Sequence, residues 1–307
     1  MGQSIGTLFP LRLRLWFGSL LFRPLGPSTT RVSWHRVIKG PCDPPEVEAM
    51  RYVASHTTIP VPRLYAVHIE ENGLIYIEMA YVPGDTLEQA WNGLSTDQRD
   101  TIFADIKQHM SSLRALQPPA QDIVSSALQN PAYDLRIGAR FFGPMNHAEF
   151  HSTVRGRLRM EDVPLLGPEV DKVHTARYQT HFTHADLAPR NIIVRHGRVA
   201  AIIDWAFSGW YPEYWEFTKA HYNYFPGQED WEEYLRIVLP CYETELAAER
   251  ILWERLPEPG TRATLHRNGV TIERKGSDPS VAWLDARAGR QLTDLWSVAL
   301  SRWQDGK

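Results

Sequence analysis

The sequence predicts an α+β chain in two lobes, a small β-rich N-terminal lobe and a larger, mainly helical C-terminal one. Three observations predict it. Strand-like stretches at 32–39 and 74–82 flank a helical stretch at 45–56. The second strand runs straight into Pro83-Gly84, a pair that stops sheet pairing and turns the chain. From Ser95 onward apolar residues recur at helical spacing. The lobes are therefore drawn at residues 1–82 and 83–307, and with 43% hydrophobic residues the chain has enough apolar surface for a real core.

The start, Met1-Gly2-Gln3-Ser4-Ile5-Gly6-Thr7, approaches a myristoylation signal, but Gly6 stands where the hydroxyl residue belongs and Thr7 comes one place late. The apolar stretch from Leu8 to Leu25 is interrupted by Arg12, Arg14 and Arg23 and broken by Pro10 and Pro24, so it is no membrane span. Its mix of Leu, Trp16, Phe17 and arginines suits a segment packed on the body of the protein, with weak contact of residues 8–25 with a membrane surface as the alternative. The helix at 45–56 ends before Ile59-Pro60-Val61-Pro62. Ser95 and Gln98 have capping-box spacing, and Ile102, Phe103, Ile106, Met110, Leu113 and Leu116 follow along one helical face. Between 118 and 172 only a short helix near 146–157 stands out. Helical spacing returns over 212–256 and stops at Pro257-Glu258-Pro259-Gly260. Beyond lie a hairpin over 262–275 centred on Asn268-Gly269 and a helix over 282–303.

A formal net charge of −3 gives no broad basic surface, so no nucleic-acid partner is expected. Cys42 and Cys241 lie far apart and outside any Cys-x-x-Cys pair, which points to a reducing, cytoplasmic compartment.

The chemistry concentrates in His184-Ala185-Asp186-Leu187-Ala188-Pro189-Arg190-Asn191. The apolar run Ile192-Ile193-Val194 follows, then a turn at His196-Gly197, then Ala200-Ala201-Ile202-Ile203-Asp204. A hairpin here returns the end of its second strand beside the start of the first, so Asn191 and Asp204 approach one point. Mg2+ prefers a few carboxylate or amide oxygens and keeps several waters, which suits those two side chains. Asp186 is then the carboxylate that accepts the proton of an attacking hydroxyl, with His184 supporting the loop by hydrogen bonding.

The pattern His-x-Asp-Leu-x-x-x-Asn followed by Ile-Ile-Asp resembles the motif of the aminoglycoside phosphotransferase and choline kinase group, which is protein kinase-like. The wider phrases Phe182 to Asn191, Ile203-Asp204-Trp205 and Gly209 to Glu216 are similar to its fungal members. The resemblance spans residues 30–255 and implies ATP or GTP with Mg2+, and an acceptor hydroxyl on a small molecule. It further implies that Lys39 contacts the nucleotide phosphates with Glu48 as its helix partner, Glu46 competing for that place. Tyr81 and Val82, ahead of Pro83-Gly84, would offer backbone groups to the base.

The group usually has Gly at the position of Ala185 and Glu at those of Ala80 and Ala206, and no glycine-rich loop precedes Lys39. Those departures keep a second reading open, a pseudokinase that binds nucleotide or protein without transfer. His181, His184 and Asp186 also suit a zinc hydrolase, a minor third reading, although no further distant ligand cluster accompanies them. Trp205, Trp210, Tyr211, Tyr214 and Trp215, with Glu213 and Glu216, read as core packing or as a cage for a cationic acceptor. The acidic run Glu229, Asp230, Glu232 and Glu233 reads as a solvated helix start.

Overall fold

Pro10 opens the first helix, α1 (Leu11–Leu21), in a computed structural model that describes residues 10–138, 141–222, 230–256, 263–267 and 270–274. Gly18 is the contact point of α1 with the sheet, because a Cβ there would collide with the Arg31 carbonyl. Trp16, Phe17, Leu20 and Leu21 remain exposed on the other side. Among the described residues no helix is long and apolar enough to cross a membrane.

The strand expected over 32–39 is two strands, β1 (Thr29–Ser33) and β2 (Arg36–Cys42), with Ser33 paired to Arg36 across Trp34-His35. The reversal escapes a sequence reading because the turn contains no Gly, Pro, Asn or Asp to mark it. α2 (Pro44–His56) begins on two prolines, placed where helix N–H groups lack internal partners anyway. It buries Val47, Met50 and Val53 against the sheet and its surroundings. β3 (Leu64–Ile69) and β4 (Ile75–Ala80) complete an antiparallel sheet of order β1-β2-β4-β3, in which Lys39 lies opposite Ile77. Glu78 on β4 is buried and held by two arginines and a histidine: Arg14 of α1 (2.7 and 2.9 Å), Arg36 of β2 (2.8 Å) and His68 of β3 (2.9 Å). Burial alone would raise the pKa of its carboxyl, but these partners outweigh that and lower it.

At Gly84, with φ +146°, any side chain would meet the Val194 carbonyl and Ile193, so the chain crosses there only as glycine. β5 (Asp85–Thr86) follows at once and pairs with downstream residues 193 and 194. α3 (Leu87–Ala90) leads to α4 (Thr96–Arg114), whose Ser95 and Gln98 form the expected reciprocal capping box. Four two-residue strands come next, β6 (Ile123–Val124), β7 (Ala132–Tyr133), β8 (Phe141–Phe142) and β9 (Met145–Asn146). They frame α5 (His147–Val154) and α6 (Pro168–Thr175). β10 (Thr180–Thr183) pairs with β13 (Gly209–Pro212), and between them β11 (Ile192–Arg195) and β12 (Arg198–Ile202) form the expected hairpin. α7 (Trp215–Ala220), α8 (Trp231–Val238) and α9 (Glu243–Arg255) close the helical part. β14 (Ala263–Arg267) and β15 (Val270–Arg274) pair where a hairpin is expected, its Asn268-Gly269 turn lying outside the described residues, as do residues 1–7 and the helix expected over 282–303.

Two buried clusters organise the interior. One joins α2 and the sheet to α4, α8 and the β11–β12 hairpin; the other gathers α5, α6 and α9 around Tyr211, Tyr214 and Trp215. Trp205, Trp210, Tyr211, Tyr214 and Trp215 are at most 1% exposed. A cage needs open ring faces, so this cluster is core and the cationic-acceptor option loses its support.

Candidate active site

The loop after β10 is held by buried polar contacts from three directions. His184 donates from Nε2 to the Ile203 carbonyl (3.1 Å) and accepts at Nδ1 from the Asp186 N–H (3.2 Å). One ring nitrogen donating and the other accepting defines a neutral imidazole, in keeping with burial that lowers its pKa. The Ser208 hydroxyl donates to the His184 carbonyl (3.0 Å), and the His184 N–H donates to Glu216 Oε2 (2.6 Å). Burial pushes the Glu216 carboxyl up to about 7 against the pull of those N–H bonds. Glu216 stands in the aromatic phrase read as packing; only the fold reveals that it anchors the loop.

A single 3-10 turn, Pro189–Asn191, brings Asn191 back to Asp186. Asn191 Nδ2 donates to the Asp186 carbonyl (2.9 Å) and to its Oδ2 (2.8 Å), so the amide presents its nitrogen to Asp186 and keeps Oδ1 for other partners. Arg190 Nη2 bridges Asp186 Oδ1 (2.7 Å) and Oδ2 (2.9 Å). Across the hairpin the Ile203 N–H donates to the Asn191 carbonyl (2.9 Å), which sets Asn191 and Asp204 at the open end of the paired strands.

Lys39 reaches that end from the sheet. Its Nζ lies 2.8 Å from Asp204 Oδ1 and 2.5 Å from Glu46 Oε1. Burial alone would lower the lysine's pKa, but the two carboxylates outweigh it and raise it. Asp204 is lowered, burial being overcome by Lys39, while its side chain stays 40% exposed and open to a ligand.

The expected Lys39–Glu48 pair is corrected to Lys39–Glu46. Two residues on a helix sit about 200° apart around its axis, so only one of the two faces the lysine. Glu48 instead accepts from Ser126 Oγ (2.5 Å), Asn130 Nδ2 (2.7 Å) and the Leu128 N–H (3.2 Å). Nor is the Tyr81 N–H open to a purine base: it donates to the His35 carbonyl (2.9 Å), and Arg31 lies over its ring at 3.7 Å. Val82 is half-buried just before the crossing at Gly84. Of the residues invoked for zinc, His181 turns away and donates from Nδ1 to the Arg114 carbonyl (2.8 Å). Among the described residues no group of three His, Cys, Asp or Glu side chains is placed to hold a metal. One amide and one carboxylate, Asn191 and Asp204, instead fit Mg2+, which takes few protein ligands and completes its shell with water and phosphate oxygens.

A four-stranded sheet carrying a lysine, a buried helix glutamate paired with it and a loop-plus-hairpin acidic site below define a kinase-like, two-lobed α+β protein. The chain belongs to the phosphotransferase enzyme family (APH), whose match covers residues 44–257. A search among curated proteins gives no match. Among solved structures, aminoglycoside phosphotransferase APH(4)-Ia is similar at 17% identity, over 73% of this chain and 78% of that one, with a TM-score of 0.50. The gentamicin complex of APH(2")-IIa is similar at 13% identity over 80% and 86%, with a TM-score of 0.49. A thermostable APH(4)-Ia in a ternary complex with ADP and hygromycin B gives 16% identity over 76% and 75%, with a TM-score of 0.44.

Proposed function

We propose that the protein is an ATP-dependent phosphotransferase acting on a hydroxyl of a small molecule. Family membership supports the reaction class and, with it, a nucleotide donor and a small-molecule hydroxyl acceptor. The observation that carries the reading is the 2.8 Å contact between Lys39 and Asp204, residues from the sheet and from the hairpin, beside the Asp186–Asn191 bond. The lobe division is placed at residues 82 and 83.

In this reading Lys39, fixed by Glu46, neutralises the nucleotide phosphates. Asn191 and Asp204 would hold Mg2+, which when bound supplies charge neutralisation at the phosphates. Asp186 aligns the acceptor hydroxyl and takes its proton, while His184 keeps the Asp186 backbone in place. Most of the rate then comes from positioning and electrostatics.

The test is ADP formation from Mg-ATP over a panel of hydroxyl compounds. Asp186→Ala is expected to lower turnover by roughly 100-fold or more while retaining the melting shift caused by Mg-ATP. The tight Ser33–Arg36 turn, which carries no glycine to fold over phosphates, favours a pseudokinase as the second reading. Nucleotide binding without transfer to any compound would establish it, and absence of binding would remove both.

A further inference from the structure

Arg190 is unexplained by the reaction as derived so far. It sits four residues after Asp186 in the same loop, and its Nη2 bonds both oxygens of the carboxylate. Asn191 adds a second donor to Oδ2, so that oxygen is saturated, whereas Oδ1 carries Arg190 alone among the described residues. An acceptor hydroxyl must therefore donate to the remaining lone pair of Oδ1. From there it lies within about 5 Å of the guanidinium, two hydrogen-bond lengths away at most.

The pair also decides the charge that the acceptor meets. Asp186 alone would attract an ammonium group, but paired with Arg190 it is neutral overall. The accessible pole is the cation: the Arg190 side chain is 38% exposed and that of Asp186 9%. A guanidinium binds carboxylates and phosphates in two-point geometry and repels amines. The buried aromatic cluster offers no compensating cation site.

Resting on the phosphotransferase reading, we propose that Arg190 is the specificity-determining residue for the acceptor, and that the acceptor is a hydroxyl compound bearing an acidic group, not a polyamine. The acid seats on Arg190 while the hydroxyl donates to Asp186 Oδ1. The hydroxyl oxygen forms the new bond to the γ-phosphorus, the bond from that phosphorus to the β,γ-bridging oxygen breaks, ADP leaves, and the hydroxyl proton passes to Asp186.

The experiment uses the full chain and Mg-ATP, reading ADP release with glucosamine, glucose and glucuronate as a charge-graded set, then with wider sets of hydroxy acids, phosphorylated polyols and aminoglycosides. Acid-bearing compounds are expected to stimulate release most. Arg190→Gln is expected to lower kcat/KM for them by about tenfold or more, chiefly through KM, and Arg190→Lys to restore part of it. Thermal melting checks that both variants fold. Preference for amines in the unaltered protein overturns the assignment, as does the absence of stimulation by any acid-bearing compound. So does an equal loss across charge classes, or a rise confined to the KM for ATP, which would place Arg190 on the nucleotide. Failure of the underlying reading looks different, because then Mg-ATP neither shifts the melting temperature nor is turned over without acceptor.

Discussion

Ala185 adopts φ +61° immediately before Asp186, and Asp204 adopts φ +64°. Left-handed backbone costs a residue with a Cβ roughly 1–2 kcal/mol, so both carboxylates stand beside or on bent backbone that the surrounding bonds must hold. For Ala185, which is fully buried, replacement by Gly relieves that cost but gives up about 0.8 kcal/mol of methyl burial and adds chain entropy. Ala185→Gly is thus expected to change stability by less than about 1 kcal/mol in urea unfolding, whereas Ala185→Val, β-branched in a left-handed position, should lose about 3 kcal/mol. Motif spacing was enough to place Asp186 and Asn191 in one loop and Asp204 at the end of the hairpin that follows, because short loops and hairpins act over few residues. Arg190 lies in the same stretch, yet the role proposed for it depends on where a long, flexible side chain points, which spacing does not encode. Glu216 acts on a loop 32 residues away through contacts that no local pattern records.

The face that α2 turns to each neighbour divides its two glutamates between separate tasks. Glu46 meets Lys39, and Glu48 ties the helix to the 126–130 segment. Glu46→Gln is expected to lower kcat/KM for ATP by about tenfold with little change in melting, as follows from the role proposed for the lysine pair. Glu48→Ala is expected to do the reverse, costing about 3 kcal/mol by leaving three donors without their acceptor. Parallel kinetics and unfolding curves separate the two; equal effects would refute the division. Elements whose periodicity is long and regular, α2, α4 and the β11–β12 hairpin, were readable in advance. The β1–β2 reversal, β3 and α1 were not: the first lacks a turn residue, the second lies between prolines and loop, and the third was broken in sequence by its arginines. Those arginines are what dock it, Arg14 on Glu78 and Arg12 on Glu70.

Two histidines deep in the helical part make the fold sensitive to acid. His151 and His174 stack at 4.7 Å, and neither ring nitrogen of His174 has a hydrogen-bond partner among the described residues. Burial pushes His151 down to about 3 and His174 well below its ordinary 6.5. A base whose pKa is depressed by folding gives stability that is present above the unfolded pKa and is lost as pH falls beneath it. The window therefore opens at about pH 6.5 and runs downward. Glu216 opposes this, since its raised pKa lets the folded state keep a proton between its ordinary 4.5 and about 7. Burial raises Glu46, Glu48 and Glu249 in the same sense, and it lowers His109, His147, His181, His184 and His221 along with the stacked pair, so four carboxyls stand against seven rings. Stability is expected to fall from pH 6.5 to 5, and His174→Phe to flatten that slope by up to about 1.4 kcal/mol per pH unit, measured by urea midpoints.

The carboxylate at the centre of the small sheet bears on where this protein can be cut. The family match starts at residue 44, yet the lysine at 39 and the cations from positions 14 and 36 that neutralise Glu78 all precede it. A fragment trimmed to the matched boundaries would strand an acid in an apolar interior and discard, in one stroke, the amine that pairs with Glu46 and Asp204. Such a fragment is expected to show no cooperative melting. The small sheet thus depends on residues that lie ahead of the matched range.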